Sequence, residues 1–479
     1  MVLINLKIAI IGGGISGLAC AHRLCELRDA AHSNLEIFLF EAGLRLGGTI
    51  QTQVHDGFVV ERGADAFLSE KPEALELAKH LGIENEIIGT CPDNRRSFIL
   101  QSGRLVPVPP GFYLIAPSDL VAFLKTPLFS LSGKFRMMME PFIPMKNIED
   151  ETVADFVRRR LGKECLERVA QPMLAGIYTG DPEKLGMAST VPRFLEFERK
   201  YGSVLRGLFA EKQKREKKIE VSGPRYSLFL SFKKGMATLV DSLAQNLSGV
   251  TIRLNSQVKE IVRESASKKW RVVFSSGEGR TMDAVVLALP AHAISRILEK
   301  TEPFLASALG AVPYESVATV NLAYKKQEVG HALDGFGFVV PKAEANAILA
   351  ASFSSRKFEG RAPVGCVLIR AFVGGAFGKR FWEMEDFELL REVRREIEQV
   401  LRITGAPVFS LLSRYPRAMI QYPPGYPRKI EQMKQMFRQT QGLYGAGPVF
   451  ASAGTPDCIR QGQETAGEIF KDFSERKPS

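Results

Sequence analysis

The stretch 7–18, Lys-Ile-Ala-Ile-Ile-Gly-Gly-Gly-Ile-Ser-Gly-Leu, constrains this chain more than any other. The apolar residues 8–11 predict a buried parallel strand, and a helix-like run over 18–27 follows the glycines. Gly12, Gly14 and Gly17 have the spacing of a turn that closes tightly, admits a pyrophosphate to the backbone and seats the helix on the strand. Gly13, Ile15 and Ser16 complete that loop, and the helix start offers unpaired N–H groups to phosphate. Residues 35–40 predict a second strand ending at Glu41, whose carboxylate is placed to accept hydrogen bonds from a ribose. A glycine-rich turn in some other α/β domain is the competing reading. Two strands, the helix and Glu41 in sequence register weigh against it.

A second small-residue turn follows at once, with Ala42, Arg45, Gly48 and Thr49. Its arginine is expected to close over the pyrophosphate from the other side. Glu41-x3-Arg45-x-Gly47-Gly48-Thr49, then Asp56-Gly57-Phe58 and Glu61-x-Gly63-Ala64-Asp65, resembles the FAD-binding start of the flavin amine oxidase superfamily. The resemblance implies non-covalent FAD, and adds Gly63, Ala64, Asp65 and Ala66 to the cofactor side.

At 479 residues the chain exceeds one compact core. Six scattered cysteines without a C-x-x-C pair, and six histidines, predict neither a disulfide framework nor a metal site; a reduced, cytoplasmic compartment fits them. The formal charge is +11 and uneven: residues 196–234 carry eleven Lys or Arg against five Glu, with a basic run at 211–218. Such a run is either a solvated face or an attraction to an anionic membrane surface. No nucleic-acid motif accompanies it. Residues 7–21 superficially resemble a signal peptide, but three consecutive glycines argue against cleavage, and no window has the apolar length of a membrane span.

Periodicity predicts a helix over 72–81, a hairpin across 98–105, and amphipathic helices within 112–144, where Phe, Leu, Met and Pro abound beside Lys125, Lys134 and Arg136. Helices are expected at 152–157 and 164–174, and a glycine-rich loop at 175–182. Strands are expected at 250–254, 257–262, 270–274 and 284–289, the last a buried parallel strand returning to the nucleotide sheet. Further strands are predicted at 319–323, 337–340 and 366–372, a helix at 387–401, and a strand-like run at 449–454. A helix from Thr455, with Pro456 in its first turn, would aim its N-terminus at the flavin and brings in Ala453 and Gly454.

The fold class is therefore α/β with α+β: a discontinuous Rossmann-like FAD-binding domain, a mixed-sheet substrate domain and a helical insertion suited to a membrane surface. The boundaries are 1–90, 223–300 and 440–479 for the first, 91–105 and 301–439 for the second, and 106–222 for the third.

Gly63-Ala-Asp-Ala-Phe-Leu-Ser-Glu-Lys71-Pro, Ala175-Gly-Ile-Tyr-Thr-Gly-Asp-Pro182 and Gly454-Thr-Pro-Asp-Cys-Ile459-x-x-Gly462 resemble the protoporphyrinogen oxidase family along essentially the whole chain. The resemblance implies oxidation of protoporphyrinogen IX by O2 in three two-electron steps, each releasing H2O2, within haem biosynthesis. A peripheral membrane surface on the cytoplasmic face, a homodimer and hand-off to the next haem-pathway enzyme are compatible with it. It places Phe336, Gly337, Val339 and Phe372 against the macrocycle and Val258 on the adenine side, with the flavin itself doing the chemistry and no catalytic side chain assigned. The family's arginine ahead of an aromatic residue is replaced by Ser97 before Phe98. Arg96, one residue away, and Lys71 are then the candidate propionate contacts. Coproporphyrinogen III, with four propionates instead of two, is the alternative substrate; an amine oxidase or desaturase, or a non-redox flavoprotein, are the readings outside this activity.

Overall fold

The computed structural model describes residues 5–146, 148–219 and 228–474. Strand Asn5–Ile11 is central in a five-stranded parallel sheet, in the order Val250–Arg253, Asn34–Phe40, Asn5–Ile11, Ala284–Leu287, Leu443–Gly445. Ile8, Ile10 and Ala284 are fully buried, as expected of a sheet covered on both faces. The sheet is assembled from the beginning, middle and end of the chain. Helix Ile15–Ala30 packs on it, and helix Thr455–Ser474 packs on that helix. Gly462 makes this crossing close, since a Cβ there would run into the Ser16 carbonyl.

The second sheet has seven strands in the order Phe409–Ile420, Tyr314–Lys325, Cys366–Gly374, Ile348–Ser352, Gly337–Val339, Ser97–Gln101, Arg104–Pro107. All neighbours are antiparallel except Gly337–Val339 against Ser97–Gln101. One face buries Val320, Leu322, Ile369 and Val373 against helix Asp386–Leu401 through Leu389, Val393 and Ile397. The other face looks toward the parallel sheet and the helical insertion. The architecture is thus a discontinuous Rossmann-like sheet, a mixed sheet and an added set of helices.

Those helices include Leu120–Lys125, Leu131–Met138, Val153–Arg160, Pro192–Tyr201 and Val204–Ile219, around a core of Phe123, Phe156, Leu174 and Phe194. A buried ion pair between Arg160 and Glu140 ties them together, and Glu140 also accepts from Ser203 Oγ and the Val204 N–H. The side chains at 214–219 and residues 220–227 lie outside the described part, and most of the basic run lies there. No described helix is long and apolar enough to cross a membrane.

Several expectations are corrected. Residues 175–178 are not loop but the last turn of helix Gln171–Tyr178, and the chain turns only at Thr179, with φ of 53°. The helix expected over 164–174 is interrupted by a π-turn at Leu166–Ala170, just before Pro172, which has no N–H to give to the preceding turn. The run 449–454 is no strand: Pro448–Phe450 is a single 3₁₀ turn, and the strand is Leu443–Gly445. Strands Ile348–Ser352 and Phe409–Ile420 were not anticipated; the second is only partly buried and does not alternate cleanly.

Candidate functional site

The glycine turn divides its three glycines between two tasks. A Cβ on Gly17 would strike the Gly12 carbonyl, and one on Gly12, at φ of 109°, would strike the Ala288 carbonyl. These two are dictated by packing. Gly14 has nothing within 4 Å of such a Cβ, so it faces open space at the start of the helix. That is the cradle a pyrophosphate requires.

Glu41 closes one side of this groove. Its carboxylate accepts from the Gly13 N–H at 2.7 Å and the Gly43 N–H at 2.7 Å. Ser256 N–H donates to the Glu41 carbonyl, bringing up Val258, which is buried with Phe40 and Phe274. The second loop lies directly on the first, with Gly47 N–H donating to the Gly13 carbonyl at 2.8 Å. Ala42, Gly48 and Thr49 are exposed there. The Arg45 guanidinium is engaged within its own loop, with Leu46, Ile50, Gly48 and Gln51 as acceptors, and organises the loop instead of reaching over the groove. Ala453 and Gly454 are exposed ahead of helix Thr455–Ser474, whose Cys458 thiol donates to the Ser452 carbonyl at 3.9 Å and whose Gly462 lies against the Ser16 carbonyl. Ile15 and Thr455 therefore start two helices side by side, and both partial positive charges face the same groove.

Gly63, Ala64, Asp65 and Ala66 run between the two sheets. Gly63 is pressed on the Thr49 carbonyl. The second sheet grips the backbone of this segment: Thr319 Oγ1 donates to the Arg62 carbonyl at 2.9 Å, Asn321 Nδ2 to the Glu61 carbonyl at 3.2 Å, and Arg62 Nε to Ser413 Oγ at 2.8 Å. Arg370 donates to the carbonyls of Gly63 and Arg62 and lies 4.8 Å from the centroid of the Phe372 ring. It is 3 % exposed in a strand that is otherwise apolar. Burial drives the Asp65 carboxyl upward, but Lys357, Arg370 and Arg361 outweigh it and hold it at about 2. Four residues earlier, burial carries Glu61 up to about 7, although Met236 N–H and Thr52 donate to it.

Register then builds a wall. Val339, Ala350, Phe372, Thr319 and Ser413 are successive partners across five strands, so they share one face. At one end Thr319 and Ser413 hold the Arg62 segment. At the other, Val339 packs into the helical insertion, where Gly176 approaches Val339 and Ala350 so closely that a Cβ would be 3.2 and 3.5 Å away. Phe372 and Ala350 lie between. Gly337, at φ of 145°, is the next row, and a Cβ on it would strike the Ala351 carbonyl. Phe336 is half-buried, its N–H bonded to the Arg96 carbonyl.

The two cations chosen from sequence are both paired. Arg96 Nη1 bonds Asp334 at 2.9 Å on the surface, and Lys71 pairs with buried Asp457, which Arg460 also contacts. Sequence reading missed Thr319, Asn321, Ser413 and Arg370. Only Arg370 announced itself, as a charge in the middle of an apolar strand.

Among known proteins, the profile of flavin containing amine oxidoreductases matches residues 15–470. The chain belongs to that family. FAD is its cofactor, and the Gly14 cradle, the Glu41 carboxylate and the paired helix starts fit that group. Coproporphyrinogen III oxidase of Staphylococcus aureus is 33% identical over 98% of this chain and 99% of the relative. The mitochondrial protoporphyrinogen oxidase of Nicotiana tabacum is 28% identical over 92% of this chain and 90% of its own length. A solved structure from Exiguobacterium sp. 255-15 superposes with a TM-score of 0.86 at 27% identity, covering 98% of this chain and all of that one. The chain is similar to each along nearly its full length.

Proposed function

We propose that this protein oxidises a porphyrinogen to a porphyrin in haem biosynthesis, with coproporphyrinogen III as the preferred substrate. The reading from sequence put protoporphyrinogen IX first. The similarity to coproporphyrinogen oxidases, 33% and 31% identical, supports reversing that order. The observation that carries the reading is the wall of Val339, Ala350 and Phe372, in register with the residues that hold the Gly63 segment. A large apolar macrocycle needs such a surface more than it needs acid–base groups, because orientation toward the acceptor dominates the barrier.

Bound FAD supplies the two-electron acceptor, reoxidised by O2 with release of H2O2. The chain's own residues do the rest. Glu41 takes the ribose hydroxyls, and the backbone at Gly14, with the helix starts at Ile15 and Thr455, takes the phosphates and any negative charge on the ring system. Thr319, Asn321 and Arg370 fix the backbone at 61–63, while Phe372, Val339, Gly337 and Phe336 exclude water and orient the macrocycle. Removal of six hydrogens in three turnovers consumes three O2 and yields three H2O2. Parallel assays of the two porphyrinogens under air, with H2O2 measured, test this: the expected result is faster turnover of coproporphyrinogen III and one H2O2 per two-electron step. Turnover of amines and of neither porphyrinogen overturns it.

We also propose that the helical insertion rests on an anionic membrane surface. Leu131, Phe135 and Phe142 are 85%, 68% and 74% exposed, close in sequence to exposed Val121, Met138 and Met145. Lys125, Lys134 and Lys146 are interspersed with them. Apolar side chains beside ammonium groups suit the headgroup region. Flotation with phosphatidylserine vesicles is expected to carry the protein upward; protein left at the bottom overturns the membrane surface as occupant.

A further inference from the structure

Both cations that sequence reading nominated for the substrate carboxylates are paired elsewhere, Arg96 to Asp334 and Lys71 to Asp457. Strand Tyr314–Lys325 leads to others. By alternation it places Glu315, Val317, Thr319 and Asn321 on one face. Thr319 and Asn321 bind the segment before Gly63, and Val317 is the partner of Gly374 in the row beyond Phe372. Glu315 therefore lies on the same face, about 13 Å along the strand from Thr319.

Two loops meet at this end of the sheet. Ala376 N–H donates to the Thr179 carbonyl at 2.9 Å, and Gly375 is so close to that carbonyl that a Cβ could not fit. The first loop continues to Asp181 and Lys184, the second to Lys379, and the electrostatic surroundings of Glu315 comprise these three groups. Arg417 stands on the neighbouring strand, its N–H held by Ser316 Oγ at 3.0 Å where the pairing slips between Glu315 and Val317. Lys184, Lys379 and Arg417 are exposed, and among the described residues none has an ion pair. Burial raises the Glu315 carboxyl, Asp181 adding and the lysines opposing.

Resting on the porphyrinogen reading, we propose that Lys184 and Lys379, with Arg417 beside them, are the propionate anchors of this chain, at the opposite end of the wall from Ser97. Ammonium and guanidinium groups that hold no ion pair can meet carboxylates arriving with the macrocycle without first giving up a salt bridge. Three of them suit a substrate with four carboxylates better than one with two. They also give a role to Ser97 standing where the family resemblance implies an arginine: the charge lies at the other end of the wall.

The test is equilibrium binding of the stable products to FAD-loaded protein, followed by quenching of porphyrin fluorescence. In K184Q/K379Q, coproporphyrin III is expected to bind at least tenfold more weakly and protoporphyrin IX about threefold, with the flavin spectrum and Tm unchanged. K184R/K379R is expected to keep the wild-type affinity, and R417Q to add a further severalfold loss. Coproporphyrin III binding equally to wild type and K184Q/K379Q overturns the anchors and leaves the porphyrinogen reading intact. Wild-type protein that binds neither porphyrin overturns both.

Discussion

The nucleotide groove and the wall facing it are built in opposite ways. The groove is made by backbone. Its glycines, its two helix starts and a single carboxylate lie within short stretches of sequence, and bulk is forbidden where the chain touches itself at Gly12 and Gly17. The wall is made by register. Val339, Ala350, Phe372, Thr319 and Ser413 come from five strands, and only their pairing puts them in a row. A slip of one residue in any of these strands would turn its contribution to the opposite face. The comparison teaches that cofactor affinity here depends on a few irreplaceable positions, while substrate shape is distributed and easier to tune.

The largest effect should come from the groove. Gly17→Val forces a side chain into the Gly12 carbonyl and is expected to cost about 3 kcal/mol or more, with most of the protein insoluble. Gly14→Val meets only open space, so it should fold with the Tm of FAD-free wild type and purify colourless. If the two variants behave alike, the division between packing and cofactor glycines fails. Arg370→Met removes the bonds to the Gly63 and Arg62 carbonyls and one of the cations that hold Asp65 ionised; a loss of about 2–3 kcal/mol in denaturant unfolding is expected.

The segment between the two regions should also show in pH. The lowered carboxyl of Asp65 contributes stability above its ordinary value of 3.8, lost as pH falls toward about 2; Asp65→Asn should flatten that acid limb. Glu61 has the opposite sign. Its raised carboxyl favours the folded state below 4.5, and the contribution is lost as pH rises through about 7, a slope that Glu61→Gln should remove. The Asp65 limb is worth about 2 kcal/mol and the Glu61 limb about 3 kcal/mol. The smallest effect belongs to the wall: Phe372→Ala should raise KM for a porphyrinogen severalfold, about 1 kcal/mol, with little change in Tm because the ring is only half-buried. A large fall in Tm would make Phe372 core and not wall.

What could be read from sequence follows the same division. Strands at 8–11 and 35–40, the glycine turn and Glu41 are local signals that stand where they were expected, and the strand expected at 284–289 forms over Ala284–Leu287. The loop at 175–178 was misread because Gly176 suggests a turn, whereas it is small so that a helix can approach Val339 and Ala350. Arg45 was given a ligand because a cation in a small-residue loop invites that reading, and Lys71 because Ser97 stands where the resemblance implies an arginine. Their real partners, neighbouring carbonyls and an aspartate nearly four hundred residues away, leave no local trace. Strand Phe409–Ile420, a sheet edge with Arg414 and Arg417 in it, lacks the apolar alternation that would reveal it.

The crossing of Gly462 over Ser16 has a consequence for biosynthesis. The groove's first wall emerges early from the ribosome, but its second helix start follows only about 440 residues later, on the order of tens of seconds at ordinary elongation rates. Until then the nascent chain has a glycine loop with no lid and an apolar helix face with no cover. Loading of the flavin is thereby coupled to completion of translation, and ribosome-bound chains should need a chaperone more than the finished protein does.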